Sequence, residues 1–238
     1  MSNIMKYFTD SEHRRKRLYD RLGNYCEYIK NPEKLYYKHL AKKEAGRICN
    51  TSEMKRISNL VADYIGEGEK YKNLKRYIIM NLRRAYELRL HKRKNLDVFD
   101  IGSGAGFFSY LAKEFGHNPQ CLDVPSIEIF DVLIKEFNVP RWETRIEPQK
   151  FISCNSDKKF DLIVAYAICF HKVNNYLWTE QDWDFFLNDL AKNFAKPGAQ
   201  LHLWFNDEPH GDFEDAKSKI LQTKFEIKIS HKTIDIIF

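Results

Sequence analysis

One short segment of this 238-residue chain is bare enough to lie against a ligand: Asp100-Ile101-Gly102-Ser103-Gly104-Ala105-Gly106. A glycine at every second position opens turn conformations closed to other residues and lets a ligand touch main chain. The segment lies between the strand-like LDVFDI and the helix-like FFSYLAKEF, where the first crossover of an α/β sheet holds its ligand. Two kinds of ligand compete. A dinucleotide site is usually G-x-G-x-x-G, with a pyrophosphate on the helix N-terminus. Here the spacing is G-x-G-x-G, with an acid two positions before the first glycine. A carboxylate at Asp100 suits a cationic amino group and would repel a pyrophosphate. Asp123, 21 residues after Gly102 at the end of the next strand, is placed for a ribose in either kind of site. His171 follows the apolar run KFDLIVAYAICF.

These residues need a scaffold, and the periodicity supplies one. Residues 1–94 read as helices: NPEKLYYKHLAKKEAGRIC with Asn31 as cap, TSEMKRISNLVADYIGEGE capped by Thr51 or Ser52 and stopped by Gly66 and Gly68, and the long YKNLKRYIIMNLRRAYELRLHKRKN. In the last, Leu74, Tyr77, Ile78, Leu82, Ala85 and Tyr86 form an apolar face, with Lys75, Arg76, Arg83 and Arg84 opposite. From residue 95 strands and helices alternate. LDVFDI, PQCLDV, WETRIEP, KFDLIVAYAICF and QLHLWFN read as strands. FFSYLAKEF, SIEIFDVLIKEFN (capped by Ser126), EQDWDFFLNDLAKNF and FEDAKSKILQ read as helices, with KPGA as a turn. KFEIKIS and TIDIIF can close as an antiparallel hairpin. The expected fold is α/β, a doubly wound Rossmann-like sheet over 95–238 behind a helical extension over 1–94.

Composition narrows the function. No apolar run is long enough for a membrane span, and the N-terminus lacks an apolar h-region, so a cytoplasmic location is expected. The five cysteines, Cys26, Cys49, Cys121, Cys154 and Cys169, have neither metal nor redox spacing. Residues 1–94 carry 24 Lys+Arg against 11 Asp+Glu, and the remainder 15 against 22. A basic third on an acidic body suggests an anionic partner: a phosphorylated small molecule, a nucleic acid or a membrane surface. Solvated helix faces are the plainer account of the same charge.

The loop resembles motif I of the class I S-adenosylmethionine (SAM) dependent methyltransferases. That resemblance covers residues 95–238 and implies a seven-stranded sheet ending in an antiparallel strand, which the terminal hairpin fits. It implies SAM as cofactor, with Asp100 near the methionine moiety and Gly102, Ser103, Gly104 and Gly106 packed under it. Asp123 is implied on both ribose hydroxyls. In the segment IEPQKFI, where the family often has an Asp for adenine, Glu147 and Gln149 are the available polar residues. The segment FDLIVAYAICFHKV matches the family's acceptor region. It lacks the Asn/Asp-Pro-Pro-aromatic stretch of adenine amino-methylating enzymes and a Pro-Cys nucleophile, while a His after this strand is similar to small-molecule members. Such enzymes align the acceptor and remove its proton. His171 has the right chemistry for a general base on a hydroxyl, with a substrate-binding or packing role as the alternative.

The stretch from His171 to Asn206 also looks like bacterial methyltransferases of surface polysaccharides, in the Trp178/Trp183 spacing, the FFLNDLAK helix and Asn206 ending a strand. Trp178, Trp183 and Asn206 could then line an acceptor pocket, or the indoles could be core. The function this implies is O-methylation of a sugar or a phosphorylated or nucleotide-linked precursor of a cell-surface glycan. An anionic small-molecule acceptor would face the basic helices, acting as a lid. The rivals are an RNA methyltransferase gripping phosphates with those helices, a non-catalytic scaffold of the same fold, and an NAD enzyme disfavoured by the glycine spacing. No metal constellation is recognised. Asp182 and Asp184 suit a helix start, and His202, among apolar neighbours, reads as structural.

Overall fold

The computed structural model describes residues 31–125, 127–154, 156–173, 176–206, 213–230 and 232–238, and all structural statements concern these. The basic segment 1–30, Cys26 and the expected cap Ser126 lie outside them.

Seven strands form one sheet: β1 (Asp97–Ile101), β2 (Asn118–Asp123), β3 (Arg141–Glu143), β4 (Phe160–Ile168), β7 (Ala195–Phe205), β8 (Ile227–Ser230) and β9 (Thr233–Ile237). A separate two-stranded hairpin, β5 (Lys172–Val173) and β6 (Tyr176–Leu177), follows β4. The sheet order is β3-β2-β1-β4-β7-β9-β8. The first five strands of that order are mutually parallel, and β9 runs antiparallel to both β7 and β8. This is the Rossmann-like arrangement with an antiparallel C-terminal hairpin that the sequence pattern implies. The chain reverses its direction of travel across the sheet at β1, so β1 and β4 flank the switch point where open sheets hold ligands.

The helices are α1 (Pro32–Cys49), α2 (Ser52–Leu60), α3 (Leu74–Glu87), α4 (Phe107–Glu114), α5 (Glu128–Phe137), α6 (Glu180–Asp189) and α7 (Phe213–Ile220). Strand alternation distributes the core. On β4, Ile163, Ala165 and Ile168 pack with Trp183, Phe186 and Leu187 of α6 and Ile220 of α7. Leu162 and Val164 point the other way, toward Ala85 of α3 and Phe108 and Ala112 of α4. A third cluster joins the two halves of the chain: Tyr37, Ile57, Tyr77, Ile78 and Leu82 pack with Phe107, Leu111, Phe130 and Leu133. Tyr77 stacks on Phe107 with ring centroids 5.4 Å apart.

Several elements depart from the expected bounds. The long helix is shorter than its apolar pattern. Asn73 caps it by accepting from Arg76 N at 3.2 Å, and the chain before it forms a separate 3₁₀ turn, Glu69–Lys72. Its end is set by Arg89, whose φ of 56° turns the chain so that Leu90 is fully buried. α2 stops at Leu60, before Gly66. Thr51 is its cap and accepts from Met54 N at 3.2 Å. KPGA is not a free turn. It lies inside β7 as an irregularity where the β4–β7 register shifts between Phe160 and Leu162, with Gly198 at φ 77°. α6 continues into a π-helical turn, Leu190–Phe194. No helix among the described residues is long and apolar enough to cross a membrane.

Candidate functional site

The glycine loop leaves the carboxyl end of β1 and enters α4. Gly102 N and Ser103 N both donate to Leu122 O, at 2.8 and 3.1 Å, and Gly106 N donates to Ser103 O at 3.0 Å. These bonds fold the loop over the end of β2. Asp123 braces it from that side: Gly104 N donates to Oδ2, and Val124 N donates to Oδ1 at 2.7 Å. Burial raises the Asp123 carboxyl, and the two amide bonds oppose the rise.

The three glycines answer different demands. Gly102 (φ 68°) is exposed, and a Cβ there would meet nothing within 4 Å, so the space above it is open. Gly104 (φ 56°) lies against Tyr71: its Cβ would sit 3.6 Å from the Tyr71 hydroxyl. Gly106 (φ 73°) permits helix packing, since a Cβ there would come within 3.0 Å of Ile134 Cγ1. Tyr71, in the 3₁₀ turn before α3, is held by Tyr77 (centroids 4.5 Å) and Phe130 (4.9 Å), and burial lifts its phenol to about 12.

Asp100 lies just below the loop and is 2% exposed. Ser109, one turn into α4, donates to its Oδ2 at 2.9 Å. Burial pushes this carboxyl up to about 7, against the pull of the Ser109 bond and the charge of Arg84.

His171, Trp178 and Trp183 come together as a second group at the base of the β5–β6 hairpin, which His171 and Trp178 flank in the chain. His171 is 0% exposed, with its ring 5.7 Å from Trp183 and 5.7 Å from Phe205. Its backbone carbonyl accepts from Trp178 N at 2.9 Å. Trp178 and Trp183 are both fully buried and meet edge to face at 5.0 Å, as core packing. Asn206 directly follows β7 and is half-buried. Gln149 is exposed and turned to α6, donating to Asp182 Oδ1 at 2.9 Å. Asp182 in turn closes the capping box of α6 with Thr179. His202 pairs with Asp235 at 2.7 Å across β7 and β9.

The structure therefore brings together Asp100, the glycine loop and Asp123, and adds Tyr71, Ser109, Arg84 and Tyr166, which the sequence reading did not single out for the site. Arg84 was expected on the polar face of its helix. Its guanidinium instead stacks 4.2 Å from the Tyr166 ring centroid at the end of β4. Ser109 carries a signal that could have been found, a small hydroxyl within the apolar stripe of α4 one turn after the loop. Among the described residues no group of three His, Cys, Asp or Glu could hold a metal ion.

No protein-family model matches the chain, and no curated protein matches it. Several solved structures are similar in fold. A TehB-like SAM-dependent methyltransferase from Corynebacterium glutamicum is 13% identical over 66% of this chain and 92% of that one, with a TM-score of 0.45. A methyltransferase from Pyrococcus furiosus is 16% identical over 67% and 83%, with a TM-score of 0.48. The glycopeptide N-methyltransferase MtfA, complexed with sinefungin, is 10% identical over 65% and 90%, with a TM-score of 0.45. The fold assignment itself stands on this chain's own strand order.

Proposed function

We propose that this chain is a SAM-dependent methyltransferase, acting on a hydroxyl of a sugar or of a phosphorylated or nucleotide-linked glycan precursor. The observation that carries the reading is the G-x-G-x-G loop at the switch point, with Asp100 beneath it and Asp123 beside it. The loop is open where a ligand would lie, since a Cβ on Gly102 would meet nothing. Two carboxyls and no cation within the loop fit a ligand with an amino group and a ribose better than one with a pyrophosphate. SAM, when bound, supplies an activated methyl group on a sulfonium.

In this reading Asp100 meets the ligand's amino group, and Asp123 accepts from ribose hydroxyls at the end of β2. Gly102, Ser103, Gly104 and Gly106 form the floor, and Tyr71 with the helical segment 31–94 forms the roof. Gln149 would reach an adenine only by giving up its bond to Asp182. His171 would take the acceptor's proton, which requires the side chains around it to move, because the imidazole is fully buried. Trp178 and Trp183 then serve as the hairpin's apolar seat, and Asn206 stands at the β7 side of the acceptor.

Calorimetric titration with S-adenosylhomocysteine, beside NAD and repeated on Asp123→Ala, tests the cofactor. The expected result is saturable binding of the homocysteine compound, weakened roughly 10-fold or more in the variant by loss of charge-assisted hydrogen bonds, and none of NAD. Binding of NAD alone would refute the reading.

A further inference from the structure

Arg84, like Arg76 and Arg93, stands apart from the ion-paired arginines of the helical segment. Arg47, Arg56, Arg83 and Arg89 each pair with a carboxylate. Arg84 has no carboxylate within 4 Å among the described residues. Its Nη1 donates to Asn81 Oδ1 at 2.9 Å, and Asn81, itself buried, donates to Tyr77 O at 2.9 Å. The guanidinium carbon lies 4.2 Å from the Tyr166 ring centroid and 5.4 Å from that of Trp204. The fork is thus held in place by a neutral amide and two rings, with no carboxylate in hydrogen-bond reach, while the charges of Asp100 and Glu87 act on it from farther off. Burial lowers its pKa, yet a guanidinium remains a cation.

Two further observations fall at the same point. The Tyr166 hydroxyl is buried with no hydrogen-bond partner among the described residues, and burial holds the phenol well above 10, so it stays a donor. An orphan buried donor of this kind is costly unless something accepts from it. Immediately after it, the β4–β7 register shifts between Tyr166 and Ile168, and Ala167 takes φ 56°. Bulges and left-handed non-glycine residues of this kind gather at functional strand ends.

The place of the pair decides whose anion it meets. The loop and the ribose carboxylate belong to β1 and β2. Arg84 stacks on β4 and β7, on the other side of β1 in the strand order. We propose that the Arg84 guanidinium and the Tyr166 hydroxyl form an oxyanion pocket that binds a phosphoryl group carried by the acceptor. This rests on the methyltransferase reading above and names the chemistry of its second substrate.

The test is calorimetry on the full chain, saturated with S-adenosylhomocysteine and titrated with inorganic pyrophosphate. Wild type is expected to bind it saturably. Arg84→Met should bind roughly 10-fold or more weakly, as expected for lost charge-assisted hydrogen bonds. Arg84→Lys, which keeps the charge and guards against a folding defect, should fall between, because an ammonium cannot reproduce the stacked planar fork. Tyr166→Phe should weaken binding by a few-fold. Absence of pyrophosphate binding by wild type, or equal binding by Arg84→Met, overturns the inference. So does a loss in Arg84→Met of S-adenosylhomocysteine affinity with 5′-methylthioadenosine binding retained, which would give the guanidinium to the cofactor's carboxylate. Failure of wild type to bind S-adenosylhomocysteine sinks the methyltransferase reading instead, and pyrophosphate titrated alone still reads the pocket.

Discussion

Replacing Asp100 with asparagine removes a titrating group while keeping its size and an oxygen for the Ser109 hydroxyl. The carboxyl is buried and raised from 3.8 to about 7. The folded chain therefore holds this proton more tightly than the unfolded chain does. Below 3.8 both states are protonated and the group has its full stabilising share. As pH rises toward 7 the unfolded chain loses the proton first, and that share drains away until the folded state also ionises. At 1.36 kcal/mol per pH unit the whole span is about 4 kcal/mol, of which roughly 2.5 kcal/mol falls between pH 5 and pH 8. The asparagine variant has no such term. Its amide hydrogens impose a constant offset if unpaired, so the pH-dependent difference is the cleaner quantity. The assay is reversible urea unfolding of both proteins at pH 5 and pH 8. Relative to Asp100→Asn, wild type is expected to lose roughly 2.5 kcal/mol over that interval. Parallel pH dependence of the two proteins would refute the account of Asp100 as a desolvated acid.

Two other outcomes follow from the same geometry. Gly106→Ala should lower stability by about 1–3 kcal/mol, because the new Cβ combines a left-handed φ with a close approach to Ile134; an unchanged melting temperature would contradict it. His171→Ala should leave S-adenosylhomocysteine affinity unchanged and cut turnover by roughly 10²–10⁴, the usual contribution of a general base; turnover near wild type would remove His171 from the chemistry.

The parallel sheet was legible because its strands are short apolar runs separated by helical periods. The glycine loop was legible because glycine at alternate positions before a helix has few other uses. The terminal hairpin followed from two alternating segments joined by two residues. What the sequence concealed lay in side-chain direction. Arg84 belongs to the polar side of α3 by spacing, yet its neighbour Ala85 packs with Leu162 and Val164 of β4, and a long side chain beside it can turn back over that strand. His171, Trp178 and Trp183 were readable as a group near the acceptor strand. Their complete burial comes from packing against one another and against Phe186 of α6 and Phe205 of β7, tertiary contacts that leave no periodic trace. Gln149, like Glu147, is a candidate only through the place the resemblance gives to adenine, and the pull of Asp182 from α6 is a tertiary contact that no local pattern carries.

The shared core of α1, α3, α4 and α5 has a consequence for the birth of the molecule. Tyr77, Ile78 and Leu82 leave the ribosome before Phe107, Leu111, Phe130 and Leu133, the residues that cover them. At roughly 5–20 residues per second, that interval lasts several seconds. During it the most basic part of the chain carries an uncovered apolar stripe. The nascent helices are thus a natural client for chaperones until the first two strand–helix units have emerged.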